Sequence, residues 1–246
     1  MKNAEQKVGE YSKKFITDTP ADLTTDEAKF FKQTIPKFPL EGIYIYSFKE
    51  GKMIYAEGWE DVLGYKDEEI TMLKIVMMTA PDFIPFVHEL NDKALMFIHK
   101  KTENLDKYSF LIEQKKMHKN GTEVPIIARV GVHEFADGKI VSIIGRFQVN
   151  TRLNFGKVMR YAAFGPEKNE FEEELNKTLF YKNAISNKEK DALALIAKGY
   201  SLKEVALANN VSLSAIEKRI FPLYKRFDVK SMPHLVSFAY DNHILP

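Results

Sequence analysis

The stretch GYSLKEVALANNVSLSAIEKRI, residues 199–220, contains two helix starts separated by a short turn. Ser201 precedes an apolar-periodic run and is followed three residues later by Glu204, which is the pattern of a capping box. Asn209 and Asn210 interrupt the run, and asparagine tolerates the left-handed conformation that a tight turn can require. The stretch therefore predicts two short helices joined by a tight turn.

The second of these helices has an apolar side and a basic side. Ser212 can cap its start, and Ser214 with Glu217 offers a further capping box. Four apolar residues recur at helical spacing and are expected to face a core: Ile216, Ile220, Leu223 and Phe227. The basic residues occupy other faces: Lys218, Arg219, Lys225 and Arg226. Such a helix suits the major groove of DNA, although a helical hairpin with a solvated basic face would show the same spacing.

The composition limits the functions that the chain can perform. Its 246 residues are enough for one large or two ordinary domains, and it has no cysteine. Disulfides, thiolate catalysis and cysteine-ligated metal sites are therefore excluded. The N-terminus lacks the apolar core of a signal peptide, and no apolar run reaches the roughly 18 residues of a membrane span. We therefore expect a cytoplasmic protein with no membrane partner.

The net charge of +2 is too small to require a polyanionic partner, but the charge is unevenly distributed. Residues 186–246 carry nine Lys and Arg against six Asp and Glu, a balance of +3, whereas the remaining residues balance to −1. Each phosphate contact adds to the affinity of a protein for DNA. So small a basic excess indicates that a single copy would bind DNA poorly.

The first 150 residues predict a helical extension followed by strands around a helical middle. Residues 1–39 form the extension, in which Thr24 and Glu27 can cap one helix. The alternation in GIYIYSF and KMIYAE predicts two strands. A helix around Trp59 ends at Gly64, and residues 69–100 predict helical segments interrupted by Pro81 and Pro85. Three antiparallel strands follow, joined at Asn120-Gly121 and Asp137-Gly138.

Residues 40–151 resemble a PAS domain. The segment GIYIYSFKEGKMIYAEGWEDVLGYKDEEI is similar to the opening hairpin and helix of that family, and KKMHKNGTEVPI is similar to its later hairpin. The family often ends with an Asp-x-Thr that ties the last strand to the output, whereas this chain reads Val149-Asn150-Thr151 and lacks the Asp. The resemblance implies a sensor for a small molecule or partner. Aromatic residues of the predicted sheet are then candidates to line a ligand cavity, with an ordinary aromatic core as the simpler interpretation: Tyr44, Tyr46, Tyr55, Trp59 and Phe110.

Residues 185–246 resemble the four-helix DNA-binding domain of the LuxR/NarL group. ISNKEKDALALIAKGYSLKEVALANNVSLSAIEKRIFPLYKRFDV matches that family's pattern of caps, apolar positions and glycine in register. The chain departs from the pattern at Ala215, Glu217, Arg219 and Met232. Pro222 lies inside the second helix and is expected to bend it. The resemblance implies binding to double-stranded DNA, with these candidate contacts: Lys203, Ser212, Ser214, Lys218, Arg219, Lys225 and Arg226.

Residues 152–184 are expected to form a helical connector. Phe171, Leu175 and Leu179 recur at helical spacing, so this helix either packs on its own chain or pairs with a second copy. Together with the weak charge of one copy, the stripe favours a homodimer.

The patterns of catalytic and metal sites are missing from the sequence. His88 and His99 are isolated, and we find no zinc-hydrolase spacing, glycine-rich phosphate loop or nucleophile elbow. A phosphoacceptor receiver domain would need alternating strands and helices, whereas this region predicts a hairpin, helices and a three-stranded meander. A homoserine-lactone-binding domain would need several Trp near a Tyr-Asp pair, whereas the chain has one Trp and lacks that motif. We therefore expect an α+β protein that is not an enzyme, without metal or cofactor. It is interpreted as a transcription regulator, or alternatively as a protein-interaction module whose helix-turn-helix has lost specific DNA binding.

Overall fold

The computed structural model describes residues 8–152, 159–179, 185–241 and 244–245. These residues form two compact units, of which the first comprises 8–152 and 159–175 and the second comprises the residues from 176 onward. The first unit contains an antiparallel sheet with helices and the second is all-α, which confirms the α+β class. No helix in the described ranges has the length and apolar content needed to cross a membrane.

A six-stranded antiparallel sheet organises the first unit, in the order β2-β1-β5-β4-β3-β6. The strands are β1 Glu41–Ser47, β2 Lys52–Glu57, β3 Ser109–Met117, β4 Glu123–Ala136, β5 Lys139–Val149 and β6 Arg160–Phe164. The predicted hairpin and the predicted three-stranded meander are both present. At the β4–β5 turn, Asp137 and Gly138 have φ of 50° and 68°, and positive φ at both central residues is what a type I′ turn requires.

The strand β6 lies within residues 152–184, where the sequence predicted a helical connector and no strand. Arg160–Phe164 pairs antiparallel with the Ser109–Glu113 part of β3. Five residues with little alternation do not specify a strand by themselves, and β6 exists because β3 offers it a free edge. A helix, Lys168–Leu179, follows it. Part of the expected connector therefore belongs to the first unit.

Helices cover both faces of this sheet. They are α1 Asp26–Thr34, α2 Trp59–Leu63, α3 Met72–Met77 and α4 Ile84–Ile98, with α5 Lys168–Leu179 after β6. The helix α1 packs Phe31 against Tyr55 and the aliphatic side chains of β1. Its cap is Thr25, whose hydroxyl accepts from the Ala28 N–H at 3.2 Å, and not the expected Thr24.

The two prolines of the helical middle begin turns and do not interrupt a helix. Pro81 opens a short 3₁₀ turn, and Pro85 lies in the first turn of α4. Proline is tolerated there because the first backbone N–H groups of a helix have no intrahelical acceptor. The prediction of separate helical segments is confirmed, because α3 and α4 are distinct helices with Pro81 between them, but Pro85 lies in the first turn of α4 and does not separate two segments.

The N-terminal segment packs on α4 through a single carboxylate. Asp92 accepts hydrogen bonds from the backbone N–H of Tyr11 at 3.1 Å and of Ser12 at 2.9 Å, and from the Ser12 hydroxyl at 2.6 Å. Ser12–Lys14 forms a 3₁₀ turn at this point. The described part of the extension therefore belongs to the first unit.

The second unit consists of four helices around one apolar core. They are α6 Asn187–Ala197, α7 Leu202–Ala208, α8 Leu213–Arg226 and α9 Met232–Asp241. The capping boxes at Ser186 and Ser201 are both present, with Glu189 and Glu204 as the acidic partners. The core is formed by buried residues from all four helices, including Leu193, Val205, Ile216, Ile220, Leu223 and Leu235.

Candidate DNA-binding face and sensor cavity

The helix α8 is held in place by its buried stripe. Ile216, Ile220 and Leu223 are fully buried and Phe227 is 6% exposed, as the sequence predicts. The turn before α8 contains Asn210 with φ of 52°, the left-handed conformation expected of an asparagine there. The rotation of α8 about its own axis is therefore fixed by the core, which fixes which residues face outward.

The start of α8 is capped by Ser212 alone. Its Oγ accepts from the Ala215 N–H at 3.2 Å, and the helix begins at Leu213. Ser214 consequently lies inside the first turn, so the expected capping box between Ser214 and Glu217 is wrong. A capping residue must precede the first helical residue, and only Ser212 does so.

The outward face of the helical pair carries the candidate contacts. Ser212, Ser214, Lys218 and Lys225 on α8 and Lys203 on α7 are exposed, and Arg219 is half-buried. Within the described ranges, none of the three lysines or Arg219 forms an ion pair. Their positive charge is therefore available to an external anion.

Arg226 has a different role from the other candidate contacts. Its Nη1 lies 3.2 and 3.3 Å from the two carboxylate oxygens of Glu189, so that it joins the end of α8 to the start of α6. Although burial raises it, the pKa of Glu189 is lowered overall by hydrogen bonds from Ser186 and by Arg226. The geometry makes Arg226 a residue that positions α8.

Met232 and Pro222 were singled out in the sequence, and the structure shows where each of them lies. Met232 begins α9 and packs against the apolar core of the second unit, where an arginine could not be accommodated without exposing its head group. The helix α8 runs from Leu213 to Arg226 through Pro222, which lies on the exposed side. The bend expected at Pro222 stays a prediction.

The first unit contains a partly open apolar cavity of about 100 Å³ between the sheet and the helices α3 and α4. Three of the five predicted aromatic residues line it: Tyr44, Tyr46 and Phe110. The helix α4 contributes a stripe that the sequence analysis did not single out, formed by Leu90, Asn91, Ala94, Leu95 and Ile98. Their i, i+4 spacing was the available signal.

Tyr55 and Trp59 do not line the cavity, which corrects the expectation for these two residues. Tyr55 pairs with Ile45 across the β1–β2 hairpin and therefore projects from the sheet face opposite to Tyr44 and Tyr46. Its hydroxyl donates to Glu57 Oε2 at 2.5 Å. The Trp59 indole N–H donates to the Ile43 carbonyl at 2.8 Å, so Trp59 is a structural core residue.

The hydroxyl groups of the two cavity tyrosines differ in their surroundings. Tyr46 donates to the Phe15 carbonyl at 2.5 Å and lies 3.2 Å from Thr17 Oγ1, which ties the N-terminal segment to β1. The Tyr44 ring lies over Gly145 on β5, where an added Cβ would approach it to 2.1 Å. Burial raises the pKa of Tyr44, so its hydroxyl stays protonated at neutral pH.

Lys116 is a buried cation that the sequence analysis missed. It is 2% exposed, and its Nζ donates to the Ile75 carbonyl at 2.7 Å and to Thr79 Oγ1 at 2.8 Å. Burial lowers the pKa of Lys116 to about 7. The run KK at 115–116 does not reveal which lysine faces inward, because this depends on the pairing register of β3.

Within the described residues, neither of the two histidines considered as ligands belongs to a group of metal-ligating side chains. His99 Nδ1 lies 3.1 Å from the Tyr11 hydroxyl, and its ring packs against Phe15 at 4.8 Å. Burial lowers the pKa of His99. In the part of the chain that the structure describes, no three His, Asp or Glu side chains are grouped as a metal site.

The chain is similar to several solved structures at low sequence identity. One is the VqmA dimer of Vibrio cholerae in the absence of target DNA, with 14% identity over 89% of each chain and a TM-score of 0.34. Another is a phage VqmA–DPO complex, with 14% identity over 88% of this chain and 87% of the other and a TM-score of 0.36. A PAS domain from Colwellia psychrerythraea has 18% identity over 50% of this chain and 98% of its own, with a TM-score of 0.38. No family model and no curated protein sequence matches the chain.

Proposed function

We propose that the chain is a transcription regulator that binds double-stranded DNA through α7 and α8 and senses a small molecule or partner through the sheet unit. The observation that carries the proposal is the outward face of α8. Ser212, Ser214 and Lys218 are exposed there, while Ile216 and Ile220 on the opposite side are fully buried. A helix anchored in this way presents one fixed set of polar and basic side chains.

The dimensions and charges of this face fit DNA. An α-helix with its side chains is roughly 10–12 Å across, and the major groove is about 12 Å wide. In a helix-turn-helix the N-terminal residues of the second helix contact base edges while the first helix crosses the backbone. Ser212, Ser214 and Lys218 then lie towards the bases, and Lys203 on α7 lies towards the phosphates.

Two copies are needed for useful affinity under this proposal. The +3 balance of residues 186–246 supports few phosphate contacts for one copy. The connector stripe gives less support than expected, because Phe171 is buried against Phe97 and Phe110 of its own unit, with ring centroids 5.0 and 4.9 Å apart. The side chains of Leu175 and Leu179 lie outside the described residues. The homodimer therefore rests on the charge argument.

The test is binding of the full-length protein to a library of genomic DNA fragments at several salt concentrations. We expect sequence-preferring binding whose log affinity falls linearly with log salt, with a slope of about −0.9 for each phosphate contact. The double substitution Lys218→Glu and Arg219→Glu should weaken binding by at least about 100-fold, because it places carboxylates against the duplex.

A matched control separates this effect from net charge. Lys32→Glu with Lys49→Glu makes the same change of charge at two exposed lysines of the first unit, and we expect it to leave the sequence preference intact. Binding that is unaffected by the α8 substitutions, or equally reduced by the control, would rule out α8 as the DNA-reading helix.

A protein partner is the second candidate function, and one observation favours it. Leu207 on α7 is 78% exposed and Phe221 on α8 is 48% exposed, although exposed single apolar residues are common. A helix-turn-helix that has become an interaction module would use such side chains as anchors. Leu207→Ser should then abolish co-purification of one stoichiometric protein, and DNA would be missing from that complex.

A further inference from the structure

The cavity of the first unit is lined by apolar residues and by a small number of polar side chains. Of these, the Tyr46 hydroxyl donates to the Phe15 carbonyl at 2.5 Å, so its proton is already used. Asn91 is only half-buried, so water contributes to its solvation. Tyr44 is 3% exposed. Its hydroxyl is therefore the group to consider as a polar contact for a molecule inside the cavity.

The Tyr44 hydroxyl has no hydrogen-bond partner in the described part of the chain, and burial is the only influence there that shifts its pKa. The hydroxyl nevertheless borders open space. The described buried polar atoms that are both unpartnered and sealed from water include Gln114 Oε1 but not the Tyr44 oxygen. Since Tyr44 lines the cavity, that open space is the cavity. A buried tyrosine O–H usually finds a partner, so this one is left for an occupant.

The position of this hydroxyl is fixed by the strand beneath the tyrosine ring. Tyr44 pairs with Gly145 on β5, and a Cβ added at Gly145 would lie 2.1 Å from the ring and 2.8 Å from the hydroxyl oxygen. A glycine inside a strand often marks such a close approach. The Tyr44 ring also packs against Phe147, with ring centroids 5.9 Å apart. The ring therefore lies across β5, and Val130, which pairs with Gly145 on β4, lines the same cavity.

The surroundings favour an uncharged occupant that accepts a hydrogen bond. Charged side chains are missing from the described lining of the cavity, and an ion in such a space would lose its hydration without gaining a counter-charge. Burial raises the pKa of Tyr44, so the hydroxyl proton is present at neutral pH and can be donated. The volume of about 100 Å³ limits the size of the occupant, since an engineered apolar cavity of about 150 Å³ holds benzene.

Resting on the proposed sensor function, we propose that Tyr44 is the specificity-determining residue of the cavity and selects a compact, uncharged molecule with one hydrogen-bond acceptor. The Tyr44 hydroxyl donates to that acceptor, which is a carbonyl oxygen or a ring nitrogen. The apolar remainder of the molecule packs against side chains that line the cavity on β3 and α4, including Phe110, Ile112, Leu90 and Ala94. An apolar lining with few placed polar groups is the usual composition of a ligand pocket.

The experiment compares pyridine with benzene, two rings of similar size of which only pyridine has a nitrogen that accepts a hydrogen bond. Both are titrated into the full-length protein above pH 7, where pyridine is uncharged, and protein-observed NMR follows the amides around the cavity. We expect Tyr44→Phe to weaken pyridine binding about ten-fold, the factor that one buried hydrogen bond supports, and not to weaken benzene binding. Comparing each ring between the two proteins cancels the difference between the rings in hydration.

Two further tyrosines of the lining provide matched controls. Tyr46→Phe removes a hydroxyl that is bonded within the protein, so it should lower the melting temperature and leave the ratio of the two affinities unchanged. Tyr108→Phe removes another hydroxyl from the lining and should also leave the ratio unchanged. The unliganded Tyr44→Phe protein should melt no lower than the wild type, because no hydrogen bond within the described residues is lost.

Unchanged pyridine binding by Tyr44→Phe would overturn the proposal, as would the same loss in Tyr108→Phe. Lower stability of Tyr44→Phe with an unchanged ratio would assign Tyr44 to the fold. If neither ring bound the wild type at millimolar concentration, the cavity would hold water only and the proposal would fail. These titrations contain no DNA, so they remain decisive even where the DNA-binding proposal fails. Intact DNA binding beside an unchanged ratio would withdraw the role of Tyr44 alone.

Discussion

Lys116 illustrates at the scale of one residue how strand pairing can bury a charge. Its ammonium group donates to one carbonyl and one hydroxyl and lies 5.8 Å from the centroid of the Phe147 ring. Removal of the charge from water lowers the pKa of Lys116 from 10.5 to about 7. The Lys116 amine thus holds its proton more weakly in the folded chain than in the unfolded chain.

This shift predicts a pH dependence of stability with a defined sign. Between pH 7 and 10 the unfolded chain carries more of the Lys116 proton than the folded chain, so the free energy of unfolding rises with pH. Relative to Lys116→Met, the wild type should gain up to about 1.4 kcal/mol per pH unit in this window. Urea unfolding followed by the fluorescence of Trp59, the only tryptophan of the chain, measures it.

Lys115→Met is the matched control, because Lys115 is on the other face and forms a surface ion pair with Glu123 at 3.2 Å. Its unfolding free energy should follow the wild type at every pH. Parallel curves for the wild type and Lys116→Met would show that the ammonium group of Lys116 is solvated.

At the scale of elements, helix starts depend on single side chains that precede the first turn. Ser212 caps α8, whereas Ser214 lies within it. Ser212→Ala should reduce the local stability of α8 by about 1 kcal/mol, and Ser214→Ala should change it by less than about half of that. Hydrogen exchange of the first amides of α8 provides the measurement. Equal effects of both substitutions would contradict the assignment of the cap.

At the scale of the whole molecule, the chain consists of a sheet unit that contains an apolar cavity and a helical unit whose outer face carries exposed lysines. Under the proposed function, two copies that bind together would each place one α8 in the major groove. Nuclease footprints should then show two protected half-sites whose centres are separated by one helical turn, about 34 Å, or a multiple of it. A single protected half-site at saturation would contradict the dimer.

The sequence by itself determined the features that depend on neighbours along the chain. The capping boxes at Ser186 and Ser201, the buried stripe of α8 and the turns at Asn120-Gly121 and Asp137-Gly138 are local patterns. A side chain and the backbone three or four residues away suffice to form them, so they can be identified without knowledge of the fold.

Only the tertiary structure decided which residues meet across the sheet. The register of β1 against β2 turned Tyr55 away from Tyr44 and Tyr46, and the edge of β3 made a strand of residues that looked like connector. The same strand directed Gln114 and Lys116 inward. Strand pairing joins residues that are distant in sequence, and a shift by one residue exchanges the two faces, so no local pattern contains this information.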